Sequence, residues 1–276
     1  MRTGQEKYVT FRLTGAKRPL VLLPVFVDRR GPYSFVLDSG AVSTLVSNEL
    51  AEALALPRGE EQDGRGAAGT MTLVKSELPS LTVGQETLEN VPGFVTDLSF
   101  IGRATGAQVD GVLGHSFLSH FVMTLDYATN ALTLSRPVGG AGRALDGCEI
   151  AFQSANAENP LVVVPVFVNE KGPYDFALDT GASSTAISFE LAAEFGLATE
   201  KIPLVGGGGS VAASRVRLSS LAVGASRQEN LTAAASDFLA ALNAALGTKL
   251  QGIVGYNFLR HYRVTLDYPR AALSLE

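Results

Sequence analysis

Position n and position n+141 correspond through much of this 276-residue chain, and that internal repeat constrains the fold more than any other feature. Between VFVDRRGPYSFVLDSGA at 25–41 and VFVNEKGPYDFALDTGA at 166–182, eleven of seventeen positions are identical. A second block, DGVLGHSFLSHFVMTLDYATNALTL at 110–134, aligns with QGIVGYNFLRHYRVTLDYPRAALSL at 251–275 at the same offset, so no net insertion separates these anchors. A repeat of such length implies two copies of one folding unit. The copies are expected at 1–139 and 148–276, joined by a linker at 140–147 inside the Gly- and Pro-containing segment RPVGGAGRALDG.

Each copy reads as short strands. VFVDRRGPYSFVLDSG gives a strand, a turn at Gly31-Pro32 and a strongly apolar strand that ends on Asp38, and the second copy repeats this through Gly172-Pro173. Further strands are expected at 70–78, 80–83, 122–126 and 131–134. Helices are few and short. Ser47 and Ser188 can cap NELAEALAL and FELAAEFGL, with Glu49 and Glu190 near the positive helix end. A third helix is expected to begin near Ser236, run through DFLAALNAAL and stop at Gly247. The expected class is all-β, with a β-barrel or sandwich in each half.

Charge and composition exclude several partners. A net charge of -5 and a pI near 5.3 argue against nucleic acid, which requires clustered Lys and Arg. The longest apolar run, 20–27, contains Pro24 and is far shorter than the roughly twenty residues of a membrane-spanning helix, so no membrane crossing is expected. MRTGQEKYVTF lacks the apolar core of a secretory leader, which points to the cytoplasm, with the periplasm or secretion as the alternative if a leader has been removed. Cys148 has no partner for a disulfide, and His115, His120 and His261 have no neighbour at metal-ligand spacing. Neither a metal nor another cofactor is expected.

The acid-turn motif carries the chemistry. A strand of Phe, Ala and Leu running into Asp brings a carboxylate to the edge of the core, and the following Gly lets the backbone turn with its N–H near that carboxylate. If a pseudo-twofold axis relates the halves near these turns, Asp38 and Asp179 face each other. Like charges so close cannot both ionise, so the pair would share one proton over a broad pH range. One carboxylate then serves as general base and its neighbour as general acid. Asp126 and Asp267, in the repeated TLDY, read as turn acids, and Asp110 has Gln251 rather than an acid as its counterpart.

DSGA and DTGA, each followed about 70 residues later by Val112-Leu113-Gly114 or Ile253-Val254-Gly255, together resemble the aspartic proteases over most of both halves. The resemblance implies two retropepsin-like β-barrel lobes related by a pseudo-twofold axis, with the active site between them. It makes Asp38 and Asp179 the catalytic dyad, Ser39 and Thr180 the hydroxyl grip beneath it, and Gly40 and Gly181 donors to the carboxylates. It places flaps at Gly66, Ala67, Ala68 and Gly69 and at Gly207, Gly208 and Gly209, within the Gly-rich stretches 63–70 and 205–210. The implied reaction is hydrolysis of an extended peptide or protein by a water held between the acids. Fusion of both half-sites implies a monomer. Ala41 and Ala182 stand where pepsins have Ser or Thr, so the motif looks like that of retropepsins; without that hydroxyl the dyad should titrate at milder pH, giving a weakly acidic optimum.

Three other readings fit parts of the sequence. Asp38 and Asp179 could serve turn geometry alone, although burying two carboxylates together is costly. The chain could be a peptide-binding module with a protease fold and no turnover. The actin-like ATPases and sugar kinases also duplicate an Asp-x-Gly loop, but that fold needs long crossover helices and does not account for Gly114 and Gly255.

Overall fold

The computed structural model describes residues 8–66, 69–137, 149–155, 160–206 and 209–276. The expected linker at 140–147, Cys148 and the flap residues Ala67, Ala68, Gly207 and Gly208 lie outside the described residues. Each half forms one closed barrel. In the first, Val21–Val27 pairs with Arg30–Leu37, which pairs with Gly111–Leu113, then Thr44–Ser47, Glu86–Thr96 and Gly69–Val83, and this last strand returns to Val21–Val27. The second half repeats the circuit with Val162–Val168, Lys171–Leu178, Gly252–Val254, Ala186–Ile187, Ser226–Ser236 and Gly209–Val223. Alternation of buried and exposed residues, as in VLLPVFV at 21–27, sends one face of each strand into the barrel.

A separate six-stranded sheet joins the two barrels. Its order is Val9–Thr10, Ala131–Ser135, Val122–Asp126, Arg263–Asp267, Ala272–Leu275 and Ile150–Ala151. At its centre Thr124 lies opposite Thr265, its own counterpart at an offset of 141, and their hydroxyls are 3.0 Å apart. Two equivalent positions can face each other only on the twofold axis, so the axis passes through this pair. The apolar residues on the sheet, Met123, Leu125, Leu132, Val264, Leu266 and Leu273, belong to one core that spans both barrels. The halves therefore fold onto a common hydrophobic centre.

Several local expectations change. The turn before the acid strand is at Asp28-Arg29, both with positive φ, and at Asn169-Glu170 in the second half; Gly31-Pro32 and Gly172-Pro173 lie within the strands, beside a register shift. A pair of left-handed residues matches the right-handed twist of a two-residue hairpin, which a Gly-Pro corner does not. The strands expected at 70–78 and 80–83 form one strand, Gly69–Val83. Pro79 is tolerated because the neighbouring strands pair on either side of it, with Glu61–Gly66 at residues 69–74 and Val21–Val27 at 81–82. Ser47 and Ser188 do cap Asn48–Leu54 and Phe189–Glu194, each accepting at 3.1 Å from a backbone N–H three residues on. The third expected helix is Phe238–Leu246, ended by a left-handed Gly247. Ser99–Thr105, His115–Leu118 and Tyr256–Leu259 are helices without a clear periodic signal, being one or two turns long.

The offset of 141 is also interrupted. The hairpins expected to be flaps and the strands after them, Gly69–Val83 with Gly209–Val223 and Glu86–Thr96 with Ser226–Ser236, correspond at an offset of 140. The second half has one residue fewer before its flap and regains it around the longer helix Phe238–Leu246. Among the described residues, no helix is long and apolar enough to cross a membrane.

Candidate active site

Each acid sits at the end of a central barrel strand. Asp38 follows Leu37, whose strand runs parallel to Gly111–Leu113, and its N–H donates to the Leu113 carbonyl at 3.1 Å; Asp179 does the same to Val254 at 3.0 Å. The backbone then turns back, and Gly40 N–H donates to Asp38 Oδ1 at 2.8 Å, as Gly181 N–H does to Asp179 Oδ1 at 2.8 Å. The turn is locked from behind. His115 N–H donates to the Ala41 carbonyl and Tyr256 N–H to the Ala182 carbonyl, both at 2.8 Å. Gly114 and Gly255 must be glycine for this closeness, since a Cβ on either would fall within 3 Å of the turn backbone at residues 41–43 or 182–184.

The two turns interlock across the axis. Thr180 Oγ1 donates to the Leu37 carbonyl at 3.1 Å and accepts from Ser39 N–H at 3.0 Å, while Ser39 Oγ donates to the Leu178 carbonyl at 2.8 Å and accepts from Thr180 N–H at 3.0 Å. Ser39 and Thr180 are 2% and 1% exposed, so these four bonds are made away from water and leave no buried partner unpaired. Their consequence is a fixed spacing of the acids. A Cβ on Gly40 would stand 2.7 Å from Asp179 Cγ, and one on Gly181 would collide with the Asp38 carboxyl. Each carboxyl thus lies over the opposite turn's glycine, which brings the two acids together.

This placement sets the electrostatics. Burial is the main cause that raises the pKa of Asp38, and it lifts Asp179 well above the ordinary carboxylate range, where the charge of Asp38 adds to it. The backbone N–H groups of each turn oppose the rise by favouring the ionised form. Both shifts favour one shared proton, with the pair titrating as a unit. Asp38 and Asp179 nevertheless keep part of their surface open to solvent, unlike the grip beneath them.

Two expected flap tips are placed at the ends of hairpins. Gly66 is paired with Gly69, and Gly209 with Gly206. Asp110 accepts from Ser34 N–H at 2.7 Å, and Gln251 accepts from Asp175 N–H at 3.0 Å, so acid and amide perform the same strand-bracing role. Asp126 and Asp267 accept backbone N–H groups of the turns that follow them.

Sequence reading missed two sets of residues around the acids. Thr44 and Thr185, both fully buried, accept from Gly114 N–H at 3.4 Å and Gly255 N–H at 3.3 Å and so brace the strand behind the dyad. Their signal was present as the Ser-Thr repeated at 43–44 and 184–185. Tyr127 and Tyr268 form the second set. Tyr268 packs edge-on against His115 at 5.6 Å, and Tyr127 against Tyr256 at 5.5 Å, so each ring contacts the other half's turn-locking residue. Among the described residues, the hydroxyls of Tyr127 and Tyr268 and His115 Nδ1 are buried with no hydrogen-bond partner. Burial raises both phenol pKa values, and the charge of Asp179 adds to the rise at each, joined at Tyr268 by Asp38. Burial, with a smaller contribution from His120, lowers the pKa of His115.

Two barrels that each lend one acid to a turn, interlocked on a twofold axis, define a bilobal β protein with a paired-carboxylate site. The family model described as aspartyl protease matches twice, at 23–117 and 164–258, and each match contains one acid turn and the Gly114 or Gly255 segment behind it. The chain belongs to the aspartyl protease family and carries two copies of its domain. No curated protein sequence matches the chain. Among the described residues, no group of three or more His, Cys, Asp and Glu is arranged to hold a metal ion.

Proposed function

We propose that the chain is an aspartic endopeptidase in which Asp38 and Asp179 act as one catalytic unit. The observation that carries this reading is the placement of each carboxyl over the other turn's glycine, where an added Cβ would come within 3 Å of it. A water bound between the acids gives a proton to the ionised carboxylate while its oxygen attacks the peptide carbonyl carbon. The protonated acid transfers its proton to the carbonyl oxygen, producing a neutral tetrahedral diol. Collapse returns a hydroxyl proton to one carboxylate, breaks the C–N bond and passes the other acid's proton to the leaving amine. The pair thus ends with the single proton it began with.

Ser39 and Thr180 hold the two acids at working distance, and Gly40 and Gly181 steady the ionised form through their N–H groups. An extended substrate fits a cleft walled by two barrels, where main-chain hydrogen bonds bind it and alternate side chains enter pockets. With Ala41 and Ala182 supplying no hydroxyl to the carboxylates, the optimum falls in the weakly acidic range. Both half-sites belong to one chain, so activity requires no dimer.

The test is incubation of a diverse peptide mixture with the protein across pH, with Asp38→Asn and Asp179→Asn as controls. Cleavage by the wild type should fall by roughly a thousandfold or more in either variant, the scale of losing general acid–base catalysis. Peptide binding without cleavage at any pH would instead identify a binding module.

A further inference from the structure

A cavity of about 380 Å³ lies where the first flap meets the second barrel. The flap contributes Arg65, Gly66 and Gly69, and the second half contributes Val211, Ala212, Asp237, Phe238 and Ala241. Phe238 and Val211 pack in the same apolar cluster as Ala182, the residue that follows Gly181 in the turn of Asp179. The cavity thus borders the apolar cluster that reaches the turn of Asp179, and it is shaped by both halves, as a pocket for a substrate side chain must be. Its size fits the lower range of ligand pockets.

Two charged groups line this cavity without engaging each other. Arg65 and Asp237 are exposed, and among the described residues neither side chain takes part in an ion pair or hydrogen bond. Asp237 stands at the N-terminus of Phe238–Leu246 but makes no side-chain cap bond. Its counterpart at the offset of 140 behaves differently, because Asp97 Oδ1 accepts from Ser99 N–H at 2.8 Å. The counterpart of Arg65 is Val205, an apolar residue. A guanidinium and an unengaged carboxylate thus meet one cavity on only one side of the pseudo-twofold axis.

We infer that this cavity is a specificity subsite for a carboxamide side chain, Gln or Asn, on one side of the scissile bond. This inference rests on the protease reading above. Arg65 offers only donors and Asp237, when ionised, only acceptors. A carboxamide satisfies both at once, its oxygen accepting from Arg65 and its NH2 donating to Asp237, while its methylene stem lies on Phe238 and Val211. A carboxylate side chain meets repulsion from Asp237, an ammonium meets repulsion from Arg65, and an aliphatic side chain leaves both groups desolvated and unpaired. By sequence position the other half has Val205 for Arg65, so it has no matching guanidinium for its Asp97, whose carboxylate is already engaged by Ser99 N–H.

The experiment is cleavage-site profiling of a peptide library, followed by kcat/KM for matched peptides that differ only by Gln, Glu, Lys or Leu at the selected position. The ratios of kcat/KM are insensitive to the fraction of folded enzyme. The wild type should prefer Gln over Leu by roughly tenfold, as expected for charge-assisted hydrogen bonds. Asp237→Asn should raise the Glu-to-Gln ratio, and Arg65→Leu should lower the Gln-to-Leu ratio by a similar factor. Cleavage with no carboxamide preference, or with ratios unmoved by both substitutions, overturns this inference and leaves the protease reading intact. Absence of cleavage of any peptide overturns the protease reading and this inference with it.

Discussion

The two halves are most alike where the twofold axis passes and differ where Arg65 and Asp237 line a cavity. On the axis, Thr124 faces Thr265 and the Ser39 and Thr180 turns exchange equivalent hydrogen bonds. Away from it, Arg65 stands where the other half has Val205, and a helix of 7 residues where the other half has one of 9. A group on the axis must be compatible with its own counterpart, so a change in one copy disturbs both. A group away from the axis does not meet its own counterpart. Duplication followed by divergence thus leaves a symmetric pair of acid turns within dissimilar surroundings.

The sharpest way to break this symmetry is steric. Gly181→Ala drives a methyl group into the Asp38 carboxyl, and Gly40→Ala does the same to Asp179. Each should lower kcat by about a hundredfold, the scale expected when reacting groups are misplaced by about an ångström. The closer approach at Gly181 makes its substitution the more severe, so an equal and mild effect of both would contradict the interlocked geometry.

A smaller effect is expected from the grip. Thr180→Val keeps the shape but removes the donor to Leu37 and the acceptor for Ser39 N–H, leaving buried groups unpaired at a cost of about 3 kcal/mol. Ser39→Ala breaks the mirror pair to Leu178 and Thr180 N–H and should cost about the same. Denaturant midpoints compare the two directly, and a large disparity between them would show that the halves do not share the load.

The dyad should also leave a mark on stability. Because folding raises the pKa of Asp179, the folded state holds its proton more firmly than the unfolded state. The linked stabilisation is complete below the ordinary carboxylate pKa and is lost as pH rises through the raised value. Asp179→Asn, neutral at every pH, should therefore melt higher than the wild type near neutrality, with the gap closing in acid. A gap that widens in acid would reverse the sign of the shift.

The smallest effect concerns the buried phenols. Tyr127→Phe removes a hydroxyl that has no hydrogen-bond partner among the described residues, so the variant should be unchanged or stabilised by up to about 1 kcal/mol in thermal melting. Tyr268→Phe should behave alike. A loss of several kcal/mol at one tyrosine only would expose a difference between the halves that the ring contacts do not show.

Much of this architecture was legible because one chain contains its own comparison. Asp38 and Asp179 stood out through the repeated strand and turn, and Ser47, Ser188 and Gly247 marked helix ends through local chemistry alone. The misplaced hairpin corner at Gly31-Pro32 shows a limit of that approach, since Asp28-Arg29 is not a strong turn pair by composition and takes its left-handed form from strand twist. Thr44, Tyr127 and their counterparts were repeated in plain view, yet their roles depend on contacts about 70 residues away or across the axis. Arg65 and Asp237 gave no signal by themselves, because the fold alone brings a flap and a helix from different halves to one cavity.

In the proposed mechanism Asp38 and Asp179 share one proton and work as a pair. The pH dependence of kcat/KM for a cleaved peptide tests it most directly, since one limb reports formation of the base and the other loss of the acid. A bell-shaped profile with its maximum in the weakly acidic range is expected. A profile with a single limb, still rising through alkaline pH, would contradict it.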